Sequence, residues 1–535
     1  VEKSTCSFSQ LPFSKLFSTY VHDFSRVKDF FSTNPFDELE IANRISRISD
    51  YSNRSQVVNA LNIFHQNLGI SHHQQNSLLK FSDSDALVMV TGQQLGIYGG
   101  PLFTIYKTIT TILLARKWEK KLNRPVVPVF WLADEDHDFE EIASVGLPGS
   151  DGKINMQIFQ QGKGIPVSEE IIDPSISSLN ESLKSALQQT EFSNKLWESL
   201  ENSYQEGITH GAAFANLLSS WFSDHGLLIA GSNEKNLKSL VKETFKISVK
   251  KADLIHQVLE SQSLNLENEF HRQVIVNDSN LFFLSENGRT KFHRNKKEWL
   301  LNDIYFSEDK IISLIDLTPE KFSPNVFLRP IIQDVLLPTI GYIAGPGELA
   351  YYAQMKGYYE QFDMEMPIIF PRMSATLIEN GINRIMEKLP FELCSYNQRI
   401  EDLESKYIEL NSNINIDKIF NDWTSSVNTI SKKPIFKTQE IDPSLKGVIG
   451  KLMNGFENER AKLKGRVIKS LKQQEETQLK RIARVKAQIF PAGLQEREIS
   501  PIYFMNKFGM DIWDQLLYEL QKNELDLKRH YVIQL

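Results

Sequence analysis

Between residues 85 and 141 the chain runs through an apolar stretch, a glycine- and glutamine-rich loop, a helix-patterned segment, a second apolar stretch and a burst of acid. Few folds accommodate that order. Asp85 to Val90 has the short apolar texture of a buried strand. Thr91 to Pro101 then interrupts it with four glycines and one proline, residues that permit positive φ and close backbone approach, so a ligand-holding loop is expected there. From Pro101 onward Leu102, Ile105, Ile109, Ile112 and Leu113 recur at helical spacing. That predicts a helix packed by one face on a sheet, with its first N–H groups turned toward the loop. A second strand, Val126 to Leu132, ends in Asp134-Glu135-Asp136-His137-Asp138-Phe139-Glu140-Glu141. Strand, loop, helix, strand is a βαβ unit, and open α/β sheets bind ligands beyond the carboxyl ends of their strands, where both special segments fall.

A chain of 535 residues exceeds what one core supports, so about two to four structural units are expected. The net charge of −7 argues against broad binding to nucleic acid or an anionic membrane. Only two cysteines occur, Cys6 and Cys394, in unrelated segments; that is too few for a disulfide framework and excludes a zinc site built on thiolates. No run approaches the roughly 20 apolar residues of a membrane span, and the opening Val1-Glu2-Lys3-Ser4-Thr5 lacks the order of a secretory signal. The expectation is a cytoplasmic protein without membrane or nucleic-acid partners.

Five regions are expected. Residues 1–147 supply N-terminal helices and the first half of a Rossmann core. Residues 148–328 hold insertions with part of the sheet, including the buried strand Gly226 to Gly231 and a hairpin of Val274-Ile275-Val276 with Leu281 to Leu284. Residues 329–390 complete the core: strand Ile340 to Ala344, tight loop Gly345 to Glu348, helix Leu349 to Phe362, strand Pro367 to Pro371 and loop Arg372 to Thr376. Residues 391–490 carry narrow apolar stripes, Ile400, Leu403, Tyr407, Leu410 and Ile414, then Val467, Leu471, Gln474, Gln478, Ile482, Val485 and Ile489. Two antiparallel helices joined by a polar connection fit these stripes, and a stripe so narrow needs a partner helix, a second subunit or both. Residues 491–535 regain aromatics and are expected to pack on the core.

Clustered carboxylates raise one another's pKa, so among Asp134, Glu135, Asp136 and Asp138 one can serve as general base on an incoming amine while others hold an ammonium group. His137 is a second acid–base candidate. A solvated strand end and a surface histidine are the plain alternatives. Lys107 has a stem long enough to reach back to the loop, against the commoner fate of an exposed helical lysine. Gln93 and Gln94 offer amides to sugar hydroxyls. Arg329 and Arg372 each flank an expected strand and suit carboxylates, against surface ion pairs. Glu348 opens a helix, where the dipole favours it in any case. Arg497 and Asn506 are candidates for a nucleotide pocket beside the long helices. No metal is expected, because the acid spacing matches no recognised loop.

The segments TGQQLGIYGGPLFTIYK, PVFWLADEDHDFEEI, RPIIQDVLLPTIGYIAGPGELAYYAQM and FPRMSATLIE, in this order and spacing, resemble the bacillithiol-biosynthesis cysteine-adding enzymes over essentially the whole chain. The resemblance implies an α/β fold: a Rossmann-like core similar to class I aminoacyl-tRNA synthetases, with connecting-peptide insertions and an antiparallel coiled-coil domain that forms a homodimer. It implies a ligase joining the carboxyl of L-cysteine to the amine of glucosaminyl-malate, with Asp134, Asp136 and His137 catalytic. Along these motifs it places Gln93, Gln94, Gly99, Thr104, Lys107, Trp131, Glu135, Asp138, Arg329, Gln333, Gly345, Gly347, Glu348, Tyr351 and Arg372 around the substrates. N–H groups at the helix starts after Pro101 and Gly347 are expected to stabilise the developing anion. ATP or ADP is the cofactor expectation, although Pro101 to Lys107 has no histidine where a synthetase signature carries one, and Arg372 to Thr376 lacks the lysines of the mobile loop. Two other readings stand beside it: a different nucleotide-dependent ligase or nucleotidyltransferase on the same fold, and a non-enzymatic nucleotide sensor with a coiled-coil arm.

Overall fold

Alternate residues of the apolar stretches enter two different cores. Leu87, Met89, Val126, Phe130 and Leu132 pack into one, and Val88, Val90, Val127, Val129 and Trp131 into the other. That period of two, with both sets buried, is what a strand covered on both faces requires. In a computed structural model describing residues 3–48, 53–149, 154–159, 162–285, 288–295, 298–411 and 416–535, five such strands form an all-parallel sheet. They are β1 (Leu87–Gln93), β2 (Val126–Leu132), β3 (Leu228–Gly231), β4 (Thr339–Ala344) and β5 (Ile368–Pro371), in the spatial order β5-β4-β1-β2-β3. The chain leaves β1 toward β2 on one side and later returns to β4 on the other, so the order reverses at β1.

Helix α1 (Phe103–Leu122) joins β1 to β2 and is buried over most of its length. Three of its threonines satisfy themselves inside that core: Thr108, Thr110 and Thr111 donate to the carbonyls four residues back at 2.6–2.9 Å.

Several local expectations are corrected. β1 runs on to Gln93 instead of ending at Val90, because Thr91, Gly92 and Gln93 pair with Phe130, Trp131 and Leu132 and the Thr91 hydroxyl donates to the Ile343 carbonyl at 2.9 Å. Residues 274–276 form no strand; Val274 N–H donates to the Gln354 side chain, and Leu281–Ser285 pairs instead with Gly288–Lys291 and Phe322–Pro324. Arg329 lies in helix α2 (Leu328–Leu336), whose first turn carries Pro330. The loop before the next helix is shorter than expected, since α3 (Pro346–Tyr352) starts at Pro346, and the single helix to Phe362 is two, with Lys356–Glu360 separate. Ser374 to Thr376, part of the expected loop Arg372 to Thr376, open a strand, Ser374–Ile378, parallel to Arg529–Gln534, which pairs antiparallel with Lys3–Ser7. The tail is thereby tied to both ends of the core.

Beyond Pro390 four helices make two arms: α4 (Ile400–Asn411) and α5 (Ile416–Ile441) outward, α6 (Lys446–Gln474) and α7 (Glu476–Ile489) back. The polar connection expected between the stripes is itself helical. The reversal is confined to Pro443–Leu445, where the Asp442 carboxylate accepts from Ser444 N–H at 2.9 Å. Ile414 lies outside the described residues. Ile482, Val485 and Ile489 are buried at the base, whereas Ile430, Phe436 and Leu452 toward the tip are exposed. Cys6 and Cys394, read from sequence as unrelated, line one surface cavity. Among the described residues no helix is long and apolar enough to cross a membrane.

Candidate active site

The carboxyl ends of β1, β2 and β4 open into a cavity of about 410 Å³, within the range of small-molecule sites. It lies where the strand order reverses, the position at which open α/β sheets bind ligands. Gln93 and Gln94 enter from β1, Glu135 and Asp136 from the end of β2, and Tyr342, Glu348 and Tyr351 from β4 and α3. The glutamine turn and the acidic tip therefore share one cleft. Trp131 lines the floor beside Gly92, where a Cβ would come within 2.8 Å of the Trp131 carbonyl oxygen and 3.2 Å of the Tyr342 hydroxyl. Only glycine lets β1 pass there.

Beneath the cavity Lys107 is buried, not exposed. Its ammonium donates to the Gly92 carbonyl at 2.7 Å and to Gln93 Oε1 at 2.9 Å, and pairs with the Glu348 carboxylate. Glu348 also accepts from the Tyr342 hydroxyl and from Gly345 N–H, each at 2.7 Å. One lysine thus ties the end of β1 to the start of α3. Burial pulls its pKa down from 10.5 to about 8, against the opposing pull of Glu348.

The acidic tip divides into distinct environments. Asp134 is buried and accepts from the Ser232 hydroxyl at 2.6 Å and Asn233 N–H at 3.0 Å. Burial, then the neighbouring Glu135 charge, pushes its pKa from 3.8 to about 7. Glu135 is buried against Lys238 at 2.5 Å. Asp136 faces the cavity with its Oδ1 on His137 N–H at 2.9 Å. His137 and Asp138 stand outside the lining, with side chains 39% and 59% exposed, which makes them rim groups. Asp136, His137 and Asp138 are, among the described residues, the one group whose metal-competent atoms all lie within 4.8 Å of one another.

A basic wall faces the acids, and two of its residues escape a sequence reading. Arg289 and Lys291 come from the Gly288–Lys291 strand of the insertion. The Arg289 guanidinium donates to the Pro324 carbonyl at 2.7 Å and the Ser323 hydroxyl at 3.0 Å, lies 3.4 Å from Asp136 and stacks 3.9 Å over the Phe282 ring. No local motif marks it, because packing alone brings the insertion over the strand ends. Arg329 and Gln333, on α2, complete this side, with Arg329 hydrogen-bonded to Tyr351.

Other expected residues are not brought to the cavity. The glycine-rich half of the loop turns inward: Leu95, Ile97 and Tyr98 are buried, and Gly99, at φ +88°, packs so closely that a Cβ would lie 2.6 Å from Trp221. Thr104 is buried in α1 next to Gly100, and Leu102 N–H donates to the Ile499 carbonyl, so the start of α1 is not an anion site of this cavity. Gly345 and Gly347 shape the entry to α3 without lining the cavity. Arg372 is committed elsewhere. Its guanidinium donates to Glu496 and to the Met373 carbonyl, and Glu496, fully buried, also accepts from Ser374 and Ala375. Asn506 is buried between Ser193 and the Gln188 carbonyl, and Arg497 is exposed. Neither lines the strand-end cavity.

The chain matches two family descriptions in succession: "Bacillithiol biosynthesis BshC, N-terminal Rossmann-like domain" over residues 2–373 and "Bacillithiol biosynthesis BshC, C-terminal coiled-coil domain" over residues 375–535. Similar curated proteins bear the name "Putative cysteine ligase BshC". That of Chloroherpeton thalassium is 31% identical, covering 99% of this chain and 97% of its own. The Salinibacter ruber protein is 29% identical over 97% and 96%, and that of Halalkalibacterium halodurans 27% over 98% of each. With a Rossmann-like sheet, a helical coiled-coil domain and near full-length similarity all in agreement, the chain belongs to the BshC family of bacillithiol biosynthesis.

Proposed function

We propose that this protein is a cytoplasmic cysteine ligase that joins the carboxyl of L-cysteine to the amine of glucosaminyl-malate, forming the amide of bacillithiol. The observation that carries the reading is the two-signed cavity: carboxylates of Glu135 and Asp136 on one wall, and Arg289, Lys291 and Arg329 on the other. Cysteine brings an ammonium and a carboxyl group, and the malyl group brings two carboxylates, so both substrates need opposite charges close together. Arginine forks match the malyl carboxylates, and Gln93 and Gln94 supply amides for the sugar hydroxyls. Asp136, which lines the cavity beside the rim group His137, takes the proton that the attacking amine must lose. Asp134 acts from below by holding the end of β2 against Ser232 and Asn233. His137, at the rim, relays that proton to solvent.

Amide formation from a free carboxylate in water needs an energy source, with ATP the expected one. The parallel sheet with a ligand cavity at its reversal point supports likeness to class I aminoacyl-tRNA synthetases at the level of architecture. The exposed Ile430, Phe436, Ile441, Val448 and Leu452 along α5 and α6 support a homodimer through the coiled coil, which sedimentation of the purified chain tests. The function itself is tested by mass spectrometry of protein mixed with glucosaminyl-malate, cysteine and ATP, omitting each in turn. The reading expects bacillithiol only in the complete mixture. Undiminished product without cysteine, or none under any condition, overturns it.

A further inference from the structure

The two cysteines of the chain stand 388 positions apart in sequence and come together on the side of the molecule that joins the core to the long helices. Cys6 lies on the edge strand Lys3–Ser7, opposite His530 of Arg529–Gln534. Cys394 lies in the turn Leu393–Asn397, just before α4. Both pack, half-buried, against the apolar cluster that roots the helical arms, which contains Leu11, Ile378, Ile382, Phe391 and Tyr396. Both also line one open surface cavity of about 570 Å³, so small thiols and disulfides reach them from solvent. Cys394 Sγ stands 3.9 Å from Gln10 Oε1, and Cys394 is near enough to Cys6 to contribute to the upward shift of its thiol. Neither residue belongs to the strand-end cavity.

We propose that Cys6 and Cys394 form a reversible redox site that closes to an intramolecular disulfide by exchange with a low-molecular-weight disulfide, stapling the N-terminal edge strand to the root of the helical arms. The thiolate of Cys394 attacks one sulfur of the small disulfide and releases one small thiol, leaving a mixed disulfide on Cys394. Cys6 then gives its proton to solvent and attacks the Cys394 sulfur, releasing the second small thiol. The chain loses two hydrogens and the small disulfide gains two. Burial, reinforced by Cys394, pushes the Cys6 thiol up to about 12, so the first attack falls to Cys394 and Cys6 resolves it. The two segments already pack against one apolar cluster, so the closure joins neighbouring elements.

The experiment incubates the full-length native protein with 2-hydroxyethyl disulfide and reads intact mass, thiol alkylation and a non-reducing peptide map. The expected result is a loss of two hydrogen masses per chain, protection of both thiols and one cross-linked peptide pairing Cys6 with Cys394, all reversed by dithiothreitol. In Cys6→Ser the resolving thiol is gone, and a single mixed adduct must persist on Cys394. Two independent adducts on the native chain, covalent dimers, thiols that stay alkylatable, or an unmodified Cys394 in the variant would each overturn the proposal. None of these readouts depends on ligase activity.

Discussion

Replacing Asp134 by asparagine should stabilise the protein at alkaline pH and change little at acid pH. The Asp134 carboxyl is buried with two donors, Ser232 and Asn233, and both can be kept by the asparagine carbonyl. In the wild type, burial and Glu135 raise its pKa from 3.8 to about 7. A carboxyl raised in the folded state favours folding while protonated, and that contribution disappears as pH climbs from the unfolded pKa to the folded one. The window is therefore 3.8 to about 7, and the full loss is about 4 kcal/mol. Between pH 5 and pH 8 the difference amounts to about 2–3 kcal/mol, which for a Rossmann unit of this size is about 3 °C in Tm. Thermal melts of both proteins across that range provide the assay. The gap in favour of Asp134→Asn should widen steadily with pH and flatten above 8. A variant less stable than wild type at pH 8, or a gap independent of pH, would show that Asp134 stays ionised in the fold and refute the reasoning.

Lys107→Met removes the buried tie between β1 and α3. It should cost about 3 kcal/mol of stability and about a hundredfold in turnover, read by melts and product formation. Between pH 8 and 10.5 the unfolded chain binds the Lys107 proton and the folded chain does not, so this group's contribution rises with pH in the wild type; the variant should lack that rise. Arg289→Ala should raise KM for glucosaminyl-malate about 30-fold, a loss of about 2 kcal/mol, with a smaller effect on KM for cysteine. Equal effects on both substrates would remove the malyl assignment. Arg372→Met and Glu496→Leu should each destabilise by about 3–5 kcal/mol, while the double variant recovers part of the loss, because the isolated buried charge is the costly species. Strict additivity in that cycle would contradict the structural role given to the pair.

The strand ends of the site were legible because their chemistry is local. Alternating apolar stretches end in glutamines at Gln93 and Gln94 and in acids at Glu135 and Asp136, and topology then brings the two ends together. What sequence placed wrongly depends on pairing partners far along the chain. Thr91 to Gln93 look like loop until Phe130 to Leu132 extend the ladder, and Ser374 to Thr376 look like loop until the last strand joins them. Arg289 lies 153 residues from Asp136, and no periodicity reports a contact over that distance. Arg372 shows the converse. Its position after a strand suits a substrate, but Glu496 claims it. The two cysteines were likewise legible as residues and invisible as a pair.

The central claim is that glucosaminyl-malate binds at the ends of β1, β2 and β4 beneath the insertion strand carrying Arg289. Hydrogen exchange of the full-length protein with and without glucosaminyl-malate tests it most directly. The account predicts slowed exchange in peptides covering Gly92–Gln94, Ala133–Asp136 and Gly288–Lys291, and loss of that protection in Arg329→Met. Protection confined to the helical arms, with these three segments unchanged at saturating ligand, would contradict it.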